Sequence, residues 1–193
     1  MEIKDIMLTS PNAVKAGSYL TNEVSDEMIG NSIREAQEVH LNEIVGSVLL
    51  RRLKELVFNK MDGDEDAIDS VENAEYKTLL DEYVEPYLIA KTQAMICMPI
   101  TLKIRNMGVV YNTDQNVNNN GLENAYAAQR RFNVLADQCA TRLSMYLCSH
   151  KSDFPELSEG DCGCGIFTRP LIGRRFVSVP LNLGQKKGSC CCD

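Results

Sequence analysis

The residues whose types suit chemistry are eight cysteines, two histidines and one acidic run. Cys162 and Cys164, with Cys190, Cys191, Cys192 and the more distant His150, are the one candidate metal set, because thiolate and imidazole ligands select zinc and other soft ions. A CxC pair followed by a terminal CCC is not a usual zinc spacing, and Gly160, Gly163 and Gly165 loosen one half. The expected reading is a reduced tail without a metal. Asp62, Asp64 and Asp66 alternate as in a calcium loop, but Ala67 stands at the glycine position and Asn73 at the closing glutamate, so that template fails. His40 falls on the apolar face of a helical pattern and reads as a satisfied core histidine. His150 follows a helix end, where a cation suits the dipole. No histidine is paired with a nucleophile in a recognisable pattern, and no glycine-rich phosphate loop joins a strand to a helix. The sequence therefore predicts no catalytic, cofactor-binding or metal residues and no enzyme.

The elements that carry these residues are read from periodicity. Ser10-Pro11 caps a short helix over 12–20. Ser25 followed by Asp26 and Glu27 is a stronger start signal, a hydroxyl cap with acids in the first turn. Ile29, Ile33, Ala36, His40 and Ile44 then mark one helix face, which Gly46 should break. Val48, Leu49, Leu53, Leu56 and Val57 form a second, shorter helical face. After the acidic loop 59–75, Tyr76, Leu79, Leu80, Tyr83 and Val84 begin another stripe. Residues 85–112 hold the most apolar stretch of the chain and read as the central helix. Pro86 should kink or restart it, Pro99 should add a second kink, and Ile100, Leu102 and Ile104 continue its face. Gly108 ends it, and the asparagine-rich loop 111–121 follows. The steps from Leu122 to Leu147 describe a long helix. Phe176 to Leu181 alternates as one short strand, with Ile166 to Leu171 as a possible partner. The expected fold is mainly α: a helical bundle of about four to five helices over 1–157, with an extended, Cys-rich and basic arm over 158–193 containing one or two short strands.

Composition is that of a globular chain, 44% hydrophobic and 24% charged. No leader-like segment opens it, and no apolar run is long enough to span a bilayer. The net charge of −7 is unevenly spread. From Gly165 to Asp193 there are five basic residues and one acid, so residues 1–164 carry −11. An acidic body disfavours binding to phosphate backbones, and a basic arm suits an acidic neighbour.

Four pieces carry a resemblance to a known family. The first is Ser25-Asp26-Glu27-Met28-Ile29, leading to Ile33-Arg34-Glu35-Ala36-Gln37 and Leu41. The second is Ile44-Val45-Gly46-Ser47 with Leu49, Leu50 and Leu53, a step of long helix, glycine and short helix. The third runs from Tyr76, Leu79 and Leu80 through Tyr83-Val84-Glu85-Pro86-Tyr87-Leu88, then Met98-Pro99 and Lys103 to Val110. The fourth is Arg142-Leu143-Ser144-Met145-Tyr146-Leu147 with Phe154-Pro155-Glu156-Leu157. In this order, over residues 10–157, they resemble the head–tail connector (adaptor) proteins of tailed bacteriophages, in the version seen in phages of Bacteroidetes, including the crAss-like group.

The resemblance implies a structural virion protein, made in the bacterial host cytoplasm and located in the neck. It would form a dodecameric ring between the portal protein and the next neck or tail component. DNA would pass through the lumen without sequence-specific binding. No cofactor and no membrane contact are implied. The segments a bundle does not need, the lead-in 1–24, the asparagine loop 111–121 and the tail 158–193, are the expected partner contacts, with Asn112, Asn116, Asn118 and Asn119 in the loop, and Arg174, Arg175, Phe176, Val177 and Val179 in the tail, whose strand would pair with a neighbouring chain. The alternative is a cytoplasmic metal-binding or regulatory helical protein that uses the C-terminal cysteines.

Overall fold

The computed structural model describes residues 3–20, 23–63, 67–105, 108–111 and 121–159. A 3-10 turn, Ile3–Asp5, leads into α1 (Pro11–Ala16). Ser10 Oγ accepts the Ala13 N–H at 3.1 Å, and Pro11 fills the first turn, where its missing N–H costs nothing. α1 is shorter than its pattern implied, because the chain turns at Gly17. A Cβ there would stand 2.9 Å from Ile89 Cδ1, so the close approach suits glycine. α2 (Asp26–Glu35) begins at the expected Ser25 cap, which accepts the Met28 N–H at 3.4 Å.

α2 then widens into a π-helical stretch, Ala36–Leu41, and returns to α-helix in α3 (Asn42–Val45). Gly46 breaks the rod, as its sequence position predicted. Its φ of 80° and ψ of 158° lie in a region that is essentially closed to residues with a Cβ. α4 (Ser47–Asp62) starts directly after it and stops at left-handed Gly63. α5 (Ala74–Leu79), a second π stretch (Leu80–Val84) and α6 (Glu85–Thr101) make one further rod. α7 (Gly121–Ser149) is the longest helix, and the short α8 (Glu156–Glu159) follows a 3-10 turn at Lys151–Asp153.

The protein is thus a mostly α-helical domain of about five helical rods. The expected fold needs correction where it placed strand. The strand expected in the arm, and the arm beyond residue 159, lie outside the described residues. Among the described residues the strands are β1 (Leu102–Arg105) and β2 (Gly108–Tyr111), an antiparallel pair with Leu102 opposite Tyr111 and Arg105 opposite Gly108. They fall where periodicity continued the central helix. The physical reason is local. Pro99 removes the donor that the Met95 carbonyl needs, and Ile100, Thr101, Ile104, Val109 and Val110 are β-branched.

α6 is the element around which the rest is arranged. Tyr87, Leu88 and Ala90 enter a large core with Leu41, Ile44, Leu49, Leu53, Leu79, Leu143, Leu147 and Phe154. Ile96, with half-buried Ile89, enters a second core with Val14, Ile29 and Ile33. α7 covers α6 in the most extensive helix contact of the molecule. The two run antiparallel, since Tyr83 meets Tyr146 while Lys91 meets Asn133. Buried Ala90 and Ala94 on α6, and Ala136 and Ala140 on α7, keep both helices slim where they pack.

The first π stretch anchors the N-terminal segment through one side chain. Gln37 is fully buried. Its Oε1 accepts the Leu8 N–H at 2.9 Å, and its Nε2 donates to the Ile6 carbonyl at 2.9 Å and to Glu38 Oε1 at 3.0 Å. Gln37 therefore supplies residues 6–8 with the backbone pairing that a neighbouring strand would give.

Two outcomes follow. Gly46→Ala forces a Cβ into a closed region and should cost about 1–3 kcal/mol in denaturant unfolding. Gln37→Leu leaves the buried Leu8 N–H and Ile6 carbonyl unpaired. It should cost about 2 kcal/mol or more, and limited proteolysis should then cut the first ten or so residues sooner.

Candidate functional site

The residues that sequence reasoning placed at a partner interface, Asn112, Asn116, Asn118, Asn119, Arg174, Arg175, Phe176, Val177 and Val179, lie outside the described residues. So do Cys162, Cys164, Cys190, Cys191 and Cys192, and Asp64 and Asp66 of the calcium-like run. The described part of that run is structural. Asn73, which stands where a calcium loop would close, is buried and donates through Nδ2 to the Ala67 carbonyl at 3.0 Å and to Ser70 Oγ at 2.9 Å. Asp69 bridges Lys60 and Lys77 at 2.7 Å each, and these bonds hold its carboxyl down at about 2.

What the fold does bring together is an aromatic cluster built from the third and fourth sequence pieces. Tyr83, Tyr146 and His150 stack in a column with centroid spacings of 4.1 and 4.2 Å, and the Arg142 guanidinium lies 5.0 Å from the Tyr83 ring centre. Phe154, fully buried, meets Tyr76 edge-on at 5.3 Å. Tyr76 Oη donates to the Glu156 carboxylate, 2.9 Å from each oxygen, and Tyr146 Oη donates to Glu75 Oε2 at 3.3 Å. Burial, then the neighbouring carboxylate, pushes both phenols up to about 12. His150 Nδ1 lies 3.1 Å from the Tyr146 carbonyl, so this histidine does sit against a helix end.

Arg142 also repairs the helix at Pro86. Proline has no N–H to offer the carbonyl four residues earlier, that of Glu82, and Arg142 Nη2 donates to that carbonyl at 3.3 Å. The π turn directly before Pro86 gives the ring room, with the Glu85 N–H reaching back to the Leu80 carbonyl. Of the kink or restart expected at Pro86, the chain shows the restart: a widened turn ends at Val84 and α6 begins at Glu85.

A polar group gathers His40 and Glu43 with Tyr87 and Lys91 of α6 and Asp137 of α7. His40 is half-buried rather than core, and among the described residues its ring nitrogens take no hydrogen bond. Burial, then the Lys91 ammonium, makes it a weaker base than usual. Burial likewise lowers Lys91, against the pull of Asp137 and Glu43. Tyr87 is raised, chiefly by burial. Burial also raises the thiols of Cys97 and Cys139, which keeps them protonated and unreactive.

An open cleft of ≈ 450 Å³ lies elsewhere, lined by Ile3, Glu38, Asn42, Ser47, Leu50, Arg51, Lys54 and Glu55. The Lys54 side chain is nearly buried and donates to Glu38 Oε1. Asn42 Oδ1 is buried without a donor. Among the described residues, none of the groups with shifted acidity lines this cleft. Among the described residues no three His, Cys, Asp or Glu side chains are placed to hold a metal ion. None of the described helices is long and apolar enough to cross a membrane. Sequence reading missed Gln37, Lys54 and Arg142 as structural polar residues. Their only signal was a polar residue on an otherwise apolar face.

The phenol bonds give an alkaline test. Each folded value lies above the ordinary 10, so the stabilisation is complete below that pH and is lost as pH rises through about 12. Tyr76→Phe should lower stability at pH 7 by about 1 kcal/mol and make its decline between pH 10 and 12 shallower, as read by circular dichroism at fixed denaturant.

No curated protein and no solved structure matches the chain. Residues 41–165, more than half of the chain, match the model of DUF6712, a family of unknown function, and the chain belongs to that family.

Proposed function

We propose that this protein is a structural component of a phage virion, a ring between portal and tail that gives DNA a passage and tail components a docking surface. The observation that carries this reading is the ordered series of sequence pieces resembling head–tail connectors. Those pieces also have coherent structural roles. The long-helix, glycine, short-helix step is a true break at Gly46, with helix on both sides. The tyrosines before Pro86, Arg142 at the end of α7 and the Phe154–Leu157 turn pack into one cluster.

Charge supports the role physically. A body of −11 over residues 1–164 offers a channel wall little to bind phosphates with, so a passing duplex is repelled and slides. The alternative, a metal-binding regulatory protein, draws on cysteines outside the described residues, and no observation favours it.

The test is assembly with the portal protein encoded beside this gene. Negative-stain class averages of the mixed proteins should show a twelve-fold ring of this protein on one face of the portal. Bare portals at saturating protein overturn the reading, and so do neighbouring genes that encode neither portal nor capsid.

A further inference from the structure

Two patches on this molecule have large apolar residues in water and charges without partners, and the charges are opposite. The first is on the outer face of α7. Val134 and Leu135 are 58% and 42% exposed. Arg130 and Arg131, one turn earlier, are exposed and have no acidic partner among the described residues. Asp137, the nearby acid, lies toward Lys91, whose charge it supports. The second patch is at the end of α4. Met61 is 63% exposed and Val71 is 94% exposed. Asp62 and Glu72 beside them are exposed and take no cationic partner among the described residues. The Lys60–Asp69 ion pair at 2.7 Å holds these two segments together. Lys60 and Lys77 are both engaged by Asp69, so neither compensates Asp62 or Glu72.

The two patches do not overlap. The α5 end that follows the acidic edge meets the C-terminal turn of α7, through Glu75 and Tyr146. Arg130 is 16 residues back along that helix, roughly 24 Å at 1.5 Å per residue. Apolar side chains at the centre of a contact supply its burial, and matched charges set its register. We infer that the face of one copy formed by Arg130, Arg131, Val134 and Leu135 docks on the edge of a second copy formed by Met61, Asp62, Val71 and Glu72. We take the contact as head-to-tail, with one patch of each copy used per neighbour, so it is heterologous and every docked copy leaves one patch free for the next. Such a contact generates a ring if the rotation closes and a fibre if it does not. The occupant is a second copy because the complementary surface is on this chain itself, in apolar content as well as in charge. The inference rests on the ring reading only for the closure, not for the contact.

Paired charge reversals test it. Arg130→Glu with Arg131→Glu makes the α7 face acidic, and Asp62→Lys with Glu72→Lys makes the edge basic. All four sites are exposed, so both variants should keep the wild-type circular dichroism. Sedimentation velocity at low ionic strength should show wild-type protein associating below ~1 mM. Each variant alone should associate at least about tenfold more weakly, because like charges face each other. Their equimolar mixture should regain wild-type association, since every contact is then complementary. Wild-type protein that stays monomeric up to ~1 mM, or a mixture no better than its components, overturns the inference. If the variants still form rings on the portal, the interface is wrong while the connector reading stands. If the mixture associates but the portal stays bare, the interface stands and the connector reading falls.

Discussion

The structure depends on one constraint: α6 is apolar nearly all round, so it must be covered on every side. Tyr87, Leu88 and Ala90 need one core, and Ile89 and Ile96 need another on a different side. A helix with that demand cannot lie on a surface. It draws α7 along one side, the π stretch Ala36–Leu41 with α2 along another, and α1 at a third place. Leu88 and Ile96 are fully buried, each worth about 1.5–3 kcal/mol relative to exposure. The other rods are therefore best understood as walls around α6, and their breaks as the means by which a single chain surrounds it.

Those breaks have distinct physical causes. At Gly46 a positive φ lets the chain leave one rod and begin the next within one residue. At Ala36–Leu41 and Leu80–Val84 an added residue per turn widens the helix. The first widening buries Gln37, whose amide holds the N-terminal segment. The second precedes Pro86 and gives its ring room, while Arg142 takes over the carbonyl that proline leaves. Polar groups here act as connectors between rods. Each is satisfied by a backbone partner far away in sequence, which ties separate segments into one cooperative unit.

The matched family stretch begins at residue 41, so it covers most of the large core, Gly46 and the aromatic cluster, and leaves α1 and α2 outside. The second core is thus assembled against a helix that belongs to the matched stretch from segments that do not. α1 reaches it through Gly17, packed so closely on Ile89 that a methyl group would collide, and Lys15 reaches Asp26 at 2.6 Å.

The sequence by itself determined the helical class, the Ser25 cap, the break at Gly46, the long α7 and the central place of residues 85 onward. These depend on spacing, caps and backbone preference, which are local. It misread two things for one reason. The helix was extended through 102–105, where backbone pairing with 108–111 prevails over helical periodicity once Pro99 has removed a donor. His40 was placed in the core, although its side chain is only half-buried. At Pro86, where a kink or a restart was expected, α6 begins anew at Glu85 after a π turn, and an arginine from another helix takes the carbonyl that proline leaves. Gln37, Lys54 and Arg142 have their partners 16 to 60 residues away in the chain, at Ile6 and Leu8, Glu38, and Glu82. Only the tertiary structure decides such pairings, because whether a polar side chain on an apolar face is a defect or a staple depends on what the fold places opposite it.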